Sequence, residues 1–245
     1  VTIKGKNNDG TKFISKAIKK GAKYIVSSKN IKKFKNKIIK VENEIKFLND
    51  FASKKRDNTN AKVFAITGSA GKTSLKNLIY NLLQNYGETL CSPKSYNNHF
   101  GVPLSLSQLN TSHRYAIFEV GMSKAGEINT LSKIIKPHIG IITNIGEAHI
   151  ENFKNISGIA KAKGELIGNI KKNGTIILNR DDKFFKYLNK KAKSKNIKVV
   201  TFGKNIKTDV RLEKIINKKN RKKIYAMVKG EKINLYIKNL NIFNV

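Results

Sequence analysis

Thr67-Gly68-Ser69-Ala70-Gly71-Lys72-Thr73-Ser74 is the stretch with the clearest chemical content. It follows four apolar residues, 63–66, that read as a buried strand, and it runs into a helical apolar pattern over residues 75–86. Glycines let the backbone curl until its N–H groups face a common point, and a helix start adds a favourable field for an anion. Gly68, Ser69, Ala70, Gly71, Lys72, Thr73 and Ser74 are therefore the expected cradle of a nucleotide's phosphates. Lys72 would reach the terminal phosphates, and the Thr73 hydroxyl would ligate Mg²⁺. Ile66 stands where the commoner form of such a loop has its first glycine. The alternative is a plain glycine turn capped by Thr or Ser.

Two further groups could complete such a site. Glu119 follows the apolar run 115–118, and a carboxylate at the end of a parallel strand is suitably placed for Mg²⁺ beside the phosphates. An exposed acid at a strand end is the other reading. His149 closes Thr143-Asn144-Ile145-Gly146-Glu147-Ala148-His149, just beyond another strand. Its neutral imidazole could ligate a second metal, or it is a loop histidine held by hydrogen bonds. His99 and His113 carry less signal. His138, next to Pro137 at a strand entrance, reads as structural.

The elements that must position these groups fall into two grammars. Residues 1–57 look like a small unit: a helix through Phe13, Ile14, Ala17 and Ile18, a stop at Gly21, and a short strand at 24–26. A second helix runs through Ile45, Leu48, Phe51 and Ala52, and the polar run 54–60 reads as a linker or surface turn. From residue 62, strands at 63–66, 115–118, 139–142, 175–178 and 199–202 alternate with helical stretches such as 75–86 and 159–170. That pattern predicts an α/β fold, a mostly parallel sheet with helices on both faces. Residues 210–215, 224–228 and 233–237 read as short antiparallel strands, the last two joined by a turn at 229–232.

Composition narrows the partners. The chain has 245 residues, room for one large domain or two smaller ones. Lys and Arg number 50 against 16 Asp and Glu, a formal charge of +34 that would suit a polyanion binder. The lysines are spread in doublets along the chain, such as Lys19-Lys20, Lys171-Lys172 and Lys218-Lys219, and aromatics do not interleave with basic runs. Solvated faces are the expectation, with no specific nucleic acid as partner; a basic nucleic-acid-binding NTPase is the rival. Cys91 is the single cysteine, which excludes an internal disulfide and a thiolate metal cluster. No apolar run is long enough to span a bilayer, and the start lacks a secretory pattern, so the cytoplasm is the expected location. Val1 in place of Met suggests a missing upstream segment.

Six segments occur together and in order. They are the loop at 67–73, Tyr96-Asn97-Asn98-His99-Phe100-Gly101-Val102-Pro103-Leu104, Glu119-Val120-Gly121-Met122-Ser123, Gly126-Glu127-Ile128, the 143–149 segment, and Ala162-Lys163-Gly164-Glu165. This set resembles the Mur ligases over nearly the whole chain. The Tyr96–Leu104 and Ala162–Glu165 segments are most similar to the branch that joins D-alanyl-D-alanine to UDP-N-acetylmuramoyl-tripeptide. The resemblance implies a P-loop-NTPase-like central domain at 58–245, incomplete, preceded at 1–57 by the C-terminal part of a UDP-sugar-binding domain. The C-terminal ligase domain of the family would be absent.

The resemblance also implies an ATP-dependent amide-bond-forming enzyme of peptidoglycan synthesis, acting as a monomer through an acyl phosphate. Its cofactors would be ATP and two Mg²⁺ ions. Lys72 would bind the ATP phosphates, Thr73 and Glu119 the first Mg²⁺, and His149 the second. Lys163 matches a family lysine that CO₂ converts to a carbamate metal ligand; with Lys72 and His149 it would form the catalytic set. Asn179, Asp181 and Asp182 match a turn that shapes the nucleotide side of the cleft. Thr11 stands where many relatives have His, and Asn241 and Phe243 replace Gly and His in the segment 241–245. A ligase adding single amino acids, a folate ligase, and a non-catalytic nucleotide-binding fragment are the other readings.

Overall fold

The computed structural model describes residues 1–5, 8–218 and 221–238. The segment 241–245, compared above with the family pattern, lies outside them. In chain order the first elements are α1 (Ile14–Lys19), β1 (Ile25–Ser27), β2 (Ile38–Lys40) and α2 (Glu44–Asp57). The alternating stretch gives β3 (Lys62–Thr67), α3 (Lys72–Leu83), β4 (Thr89–Cys91), α4 (Gly101–Leu106) and β5 (Tyr115–Glu119). It continues with α5 (Glu127–Ile135), β6 (Ile139–Ile142), α6 (Ile156–Lys163), β7 (Thr175–Asn179), α7 (Phe185–Lys193) and β8 (Lys198–Gly203). A ribbon of β9 (Val210–Lys218), β10 (Arg221–Val228) and β11 (Glu231–Lys238) follows.

Nine strands form one sheet in the order β11-β10-β9-β8-β7-β6-β3-β5-β4. Pairing is parallel from β4 across to β9 and antiparallel within the ribbon. Strands covered on both faces must be apolar on both, which is why β3, β5 and β6 read as continuous apolar runs. Val63, Ala65, Ala116, Phe118 and Ile142 point to one side and pack with residues of α2, α4, α5, α6 and α7. Ile66, Ile117 and Ile141 point to the other, against Leu75 and Ile79 of α3. The sheet is thus covered on both faces as its pattern predicts, by five helices on one side and by the single α3 on the other. No helix among the described residues is long and apolar enough to cross a membrane.

β1 and β2 form a separate two-stranded parallel sheet. β2 and β4 are three residues each, too short to leave a periodic signal, and neither emerges from the sequence. The polar run 54–60 departs from its reading as a linker. α2 continues to Asp57, and Arg56 is 1% exposed. Its Nε donates to Ile135 O at 2.7 Å and its Nη2 to Lys136 O at 2.8 Å. A guanidinium on the last carbonyls of α5 satisfies orphan acceptors and opposes the helix dipole. Charged neighbours hid this burial in the sequence. The helix expected over 159–170 is α-helical only to Lys163, then tightens into a 3-10 segment at Gly164–Asn169.

Candidate nucleotide and metal site

β3 delivers residues 67–74 to the carboxyl edge of the parallel strands, between Glu119 at the end of β5 and the 143–149 loop after β6. Ligands of open α/β sheets bind along this edge. Gly68 has φ +152, and a Cβ there would fall 1.8 Å from Thr143 Oγ1, so only glycine lets the two loops approach. Gly71 has φ +79 and open space where a Cβ would point. α3 then begins at Lys72 without a side-chain cap, leaving its first-turn amides to an anion.

The 143–149 segment braces the loop. Asn144 Oδ1 accepts from Ser69 N at 3.1 Å and Ala70 N at 2.9 Å. Ser69 Oγ donates to Gly146 O, and Thr143 Oγ1 donates to Ala70 O. The brace is itself held, because Ile145 N donates to Asp182 Oδ2 at 2.7 Å. Lys72 Nζ folds back to donate to Gly68 O at 2.9 Å.

Thr73 Oγ1 donates to Glu119 Oε2 at 2.7 Å, and Asn97 Nδ2 donates to Glu119 Oε1 at the same distance. Glu119 is 1% exposed, which answers the alternative of an exposed strand-end acid. A hydroxyl and one carboxylate beside a phosphate cradle fit Mg²⁺, which keeps waters and takes one or two carboxylates plus substrate phosphates. Among the described residues no cluster of three or more His, Cys, Asp or Glu gathers as a ready-made metal cage.

A cavity of about 770 Å³ opens beside these groups, lined by Gly68, Lys72, Asn97, His149 and Lys163 together with the 121–127 segment. Lys163 is the last residue of α6 and 2% exposed. Burial, with the Lys72 ammonium adding to it, brings its pKa down to about 8. His149 adopts φ +65, a left-handed conformation uncommon outside glycine, and its side chain is half exposed. Its Nδ1 lies 3.8 Å from Glu151 Oε1. Two carboxylates hold the 123–129 backbone beside the cavity. Glu127 Oε2 accepts from Ser123 N at 2.6 Å and Lys124 N at 3.2 Å. Glu165 accepts from Gly126 N at 2.8 Å and Asn129 N at 2.9 Å, at the start of α5.

The residues singled out from the sequence therefore share one edge of the sheet. Lys72, His149 and Lys163 line one cavity, and Thr73 and Glu119 are in direct contact. His138 sits at the other end, where its Nδ1 accepts from Val63 N at 3.0 Å. Burial, then the charges of Arg56, Lys171 and Lys62, press its pKa to about 4. Asp181 accepts from the amides of Lys204 and Asn205, a turn-building role. Asn97 and Asn144 sit inside conspicuous motifs, yet hydrogen-bond partners far along the chain define their tasks.

Residues 66–245 match the Mur ligase middle domain. Among curated relatives, the UDP-N-acetylmuramoyl-tripeptide–D-alanyl-D-alanine ligase of Buchnera aphidicola subsp. Baizongia pistaciae is 42% identical over 187 residues. That similarity covers 76% of this chain and 40% of the relative. The ligase of the same name from Rickettsia prowazekii is 39% identical over 208 residues, 84% of this chain and 46% of the relative. The chain thus spans less than half the length of these relatives. Among solved structures, MurF from Acinetobacter baumannii superposes with a TM-score of 0.86 at 28% identity, covering 97% of this chain and 51% of that one. The MurF ligase of Thermotoga maritima in complex with ADP gives a TM-score of 0.83 at 27% identity, covering 97% of this chain and 54% of that one. With the phosphate loop, the Thr73–Glu119 pair and the buried Lys163 sharing one edge of such a fold, the chain belongs to the Mur ligase family.

Proposed function

We propose that this chain is the nucleotide-binding part of an ATP-dependent ligase that joins D-alanyl-D-alanine to UDP-N-acetylmuramoyl-tripeptide in peptidoglycan synthesis. The observation that carries this reading is the Thr73–Glu119 contact at 2.7 Å beside the uncapped start of α3, opening on a cavity that holds Lys72 and Lys163. The names of the relatives supply the substrates. In this reading the ATP-binding domain, expected at 58–245, begins with α2, whose Ala52 and Arg56 pack on its core, and the residues before α2 correspond to the end of the sugar-nucleotide domain. ATP converts the tripeptide carboxylate, a poor electrophile, into an acyl phosphate from which the incoming amine displaces phosphate.

Each residue then has a task. Lys72 would leave its loop carbonyls to offset charge on the terminal phosphates, and Thr73 and Glu119 would hold a first Mg²⁺, which would neutralise charge on the phosphoryl oxygens. His149 and Lys163, which line the same cavity, would hold the second. Lys163 is a cation in a site already rich in positive charge, and carbamylation resolves the conflict. The neutral amine attacks CO₂, a C–N bond forms, the amine loses a proton to solvent, and an anionic oxygen ligand results. With the pKa near 8, roughly a tenth of the amine is neutral at pH 7, far more than for an exposed lysine.

Calorimetry with a non-hydrolysable ATP analogue and Mg²⁺ tests the reading. Wild-type chain binds, and Lys72→Ala loses about 100-fold in affinity, the order expected for removing a charge-assisted contact. Equal affinities in the two proteins would rule out this loop as the phosphate cradle.

A further inference from the structure

Lys76 lies one turn beyond Lys72 on α3 and is 1% exposed. Among the described residues it forms no ion pair, an expensive state for an ammonium group unless hydrogen bonds offset it. Its Nζ instead donates to two main-chain carbonyls, Ser92 O at 2.6 Å and Lys94 O. Lys94 has φ +45, a left-handed conformation that a non-glycine residue holds only when its surroundings enforce it. The buried ammonium thus grips a strained turn just after β4.

That turn leads to both sides of Glu119. Ser92 Oγ accepts from Glu119 N at 3.4 Å, and Ser92 N donates to Ile117 O at 3.0 Å. Asn97 donates through Nδ2 to Glu119 Oε1, while its carbonyl accepts from Gly121 N at 2.8 Å. The fit is close: a Cβ on Gly121 would lie 2.9 Å from the Asn97 side chain. With Oε1 taken by Asn97, Oε2 is the oxygen turned to Thr73.

We propose that Lys76 is a positioning residue for the Mg²⁺ site: its buried ammonium locks segment 92–97 so that Asn97 turns the Glu119 carboxylate toward Thr73. This rests on the Mg²⁺–nucleotide reading above. Lys76 contacts neither the phosphates nor the metal; it acts through the backbone of Ser92 and Lys94.

The test is calorimetry of an ATP analogue with Mg²⁺ and, separately, in EDTA, on wild type, Lys76→Met and Lys76→Gln. Lys76→Met should lose about tenfold in affinity with Mg²⁺, the size expected for removing a charged hydrogen-bond donor. In EDTA, where binding reads the loop amides and Lys72, it should change less than about twofold, and excess Mg²⁺ should recover part of the loss. Lys76→Gln keeps one donor and should fall between, which preserves the test if Lys76→Met fails to fold. Lys72→Ala, by contrast, loses affinity under both conditions. Equal losses with and without Mg²⁺, or no loss at all in a wild type that does respond to Mg²⁺, overturn the role of Lys76 and leave the nucleotide reading standing. A wild type that shows no Mg²⁺-dependent binding sinks both.

Discussion

Lys163 and Lys223 carry the same side chain into opposite surroundings. Lys163 is buried at the carboxyl edge of the parallel strands, and burial, then Lys72, pulls its pKa down to about 8. Lys223 stands on the antiparallel ribbon with its Nζ 4.7 Å from the Tyr225 ring centre and 5.6 Å from that of Tyr236. The tyrosine hydroxyls hold its pKa above the ordinary lysine value. The difference follows from the sheet. Parallel strands need crossover helices, those helices cover both faces, and side chains at the strand ends are desolvated. An antiparallel ribbon needs no crossover helices to cover it, so its side chains organise one another at the surface. Among the described residues, the lysine pulled down to about 8 and the Thr73–Glu119 pair both lie in the first region.

The widest expected gap between the regions is in stability. Phe118 is wholly buried in β5, so Phe118→Ala should cost about 3–5 kcal/mol in chemical denaturation. A loss below about 1 kcal/mol would mean that the parallel strands are not the core they look to be. Reactivity gives the next contrast. With ¹³C-bicarbonate, a carbamate resonance should grow as pH rises from about 7 through about 8, because Lys163 is protonated below its lowered pKa and free above it. Lys163→Arg should abolish that resonance, while Lys223→Arg leaves it intact. A signal that survives Lys163→Arg would place the reactive amine elsewhere. The smallest effect belongs to the ribbon. Tyr236 is 57% exposed, and Tyr236→Ala should lower stability by no more than about 1 kcal/mol and leave nucleotide affinity unchanged.

The sequence makes the two regions legible to different depths. Continuous apolar runs at β3, β5 and β6 are readable because a doubly covered strand has no polar alternative. Gly71-Lys72-Thr73 is readable because a phosphate cradle requires those residue types in that order. The burial of Lys163 is another matter: around it lie Lys161, Gly164 and Glu165, ordinary surface vocabulary. Only the packing of α6 over the sheet desolvates it, and in the sequence family resemblance alone marks it. Asn144, Lys76 and Arg56 were beyond local reading for a related reason. Each acts through backbone atoms 16 to 80 residues away, and a backbone acceptor leaves no mark in the sequence.

Arg56 has a mechanical consequence. Its guanidinium spans the C-terminal carbonyls of α5, while Glu165 grips the amides at the other end of that nine-residue helix. α5 is a strut pinned at both ends, about 13 Å long, with one end in the wall of the cavity. Pulling α2 away would strip two carbonyls of their donors and open the apolar seat of Ala52. The preceding residues are tied to the same support, because Glu44 at the start of α2 accepts from Ser28 N at 2.6 Å and from Thr2 Oγ1 at 3.3 Å. A load on that first unit therefore passes through α2 to the strut, and from the strut to the wall beside the phosphate loop.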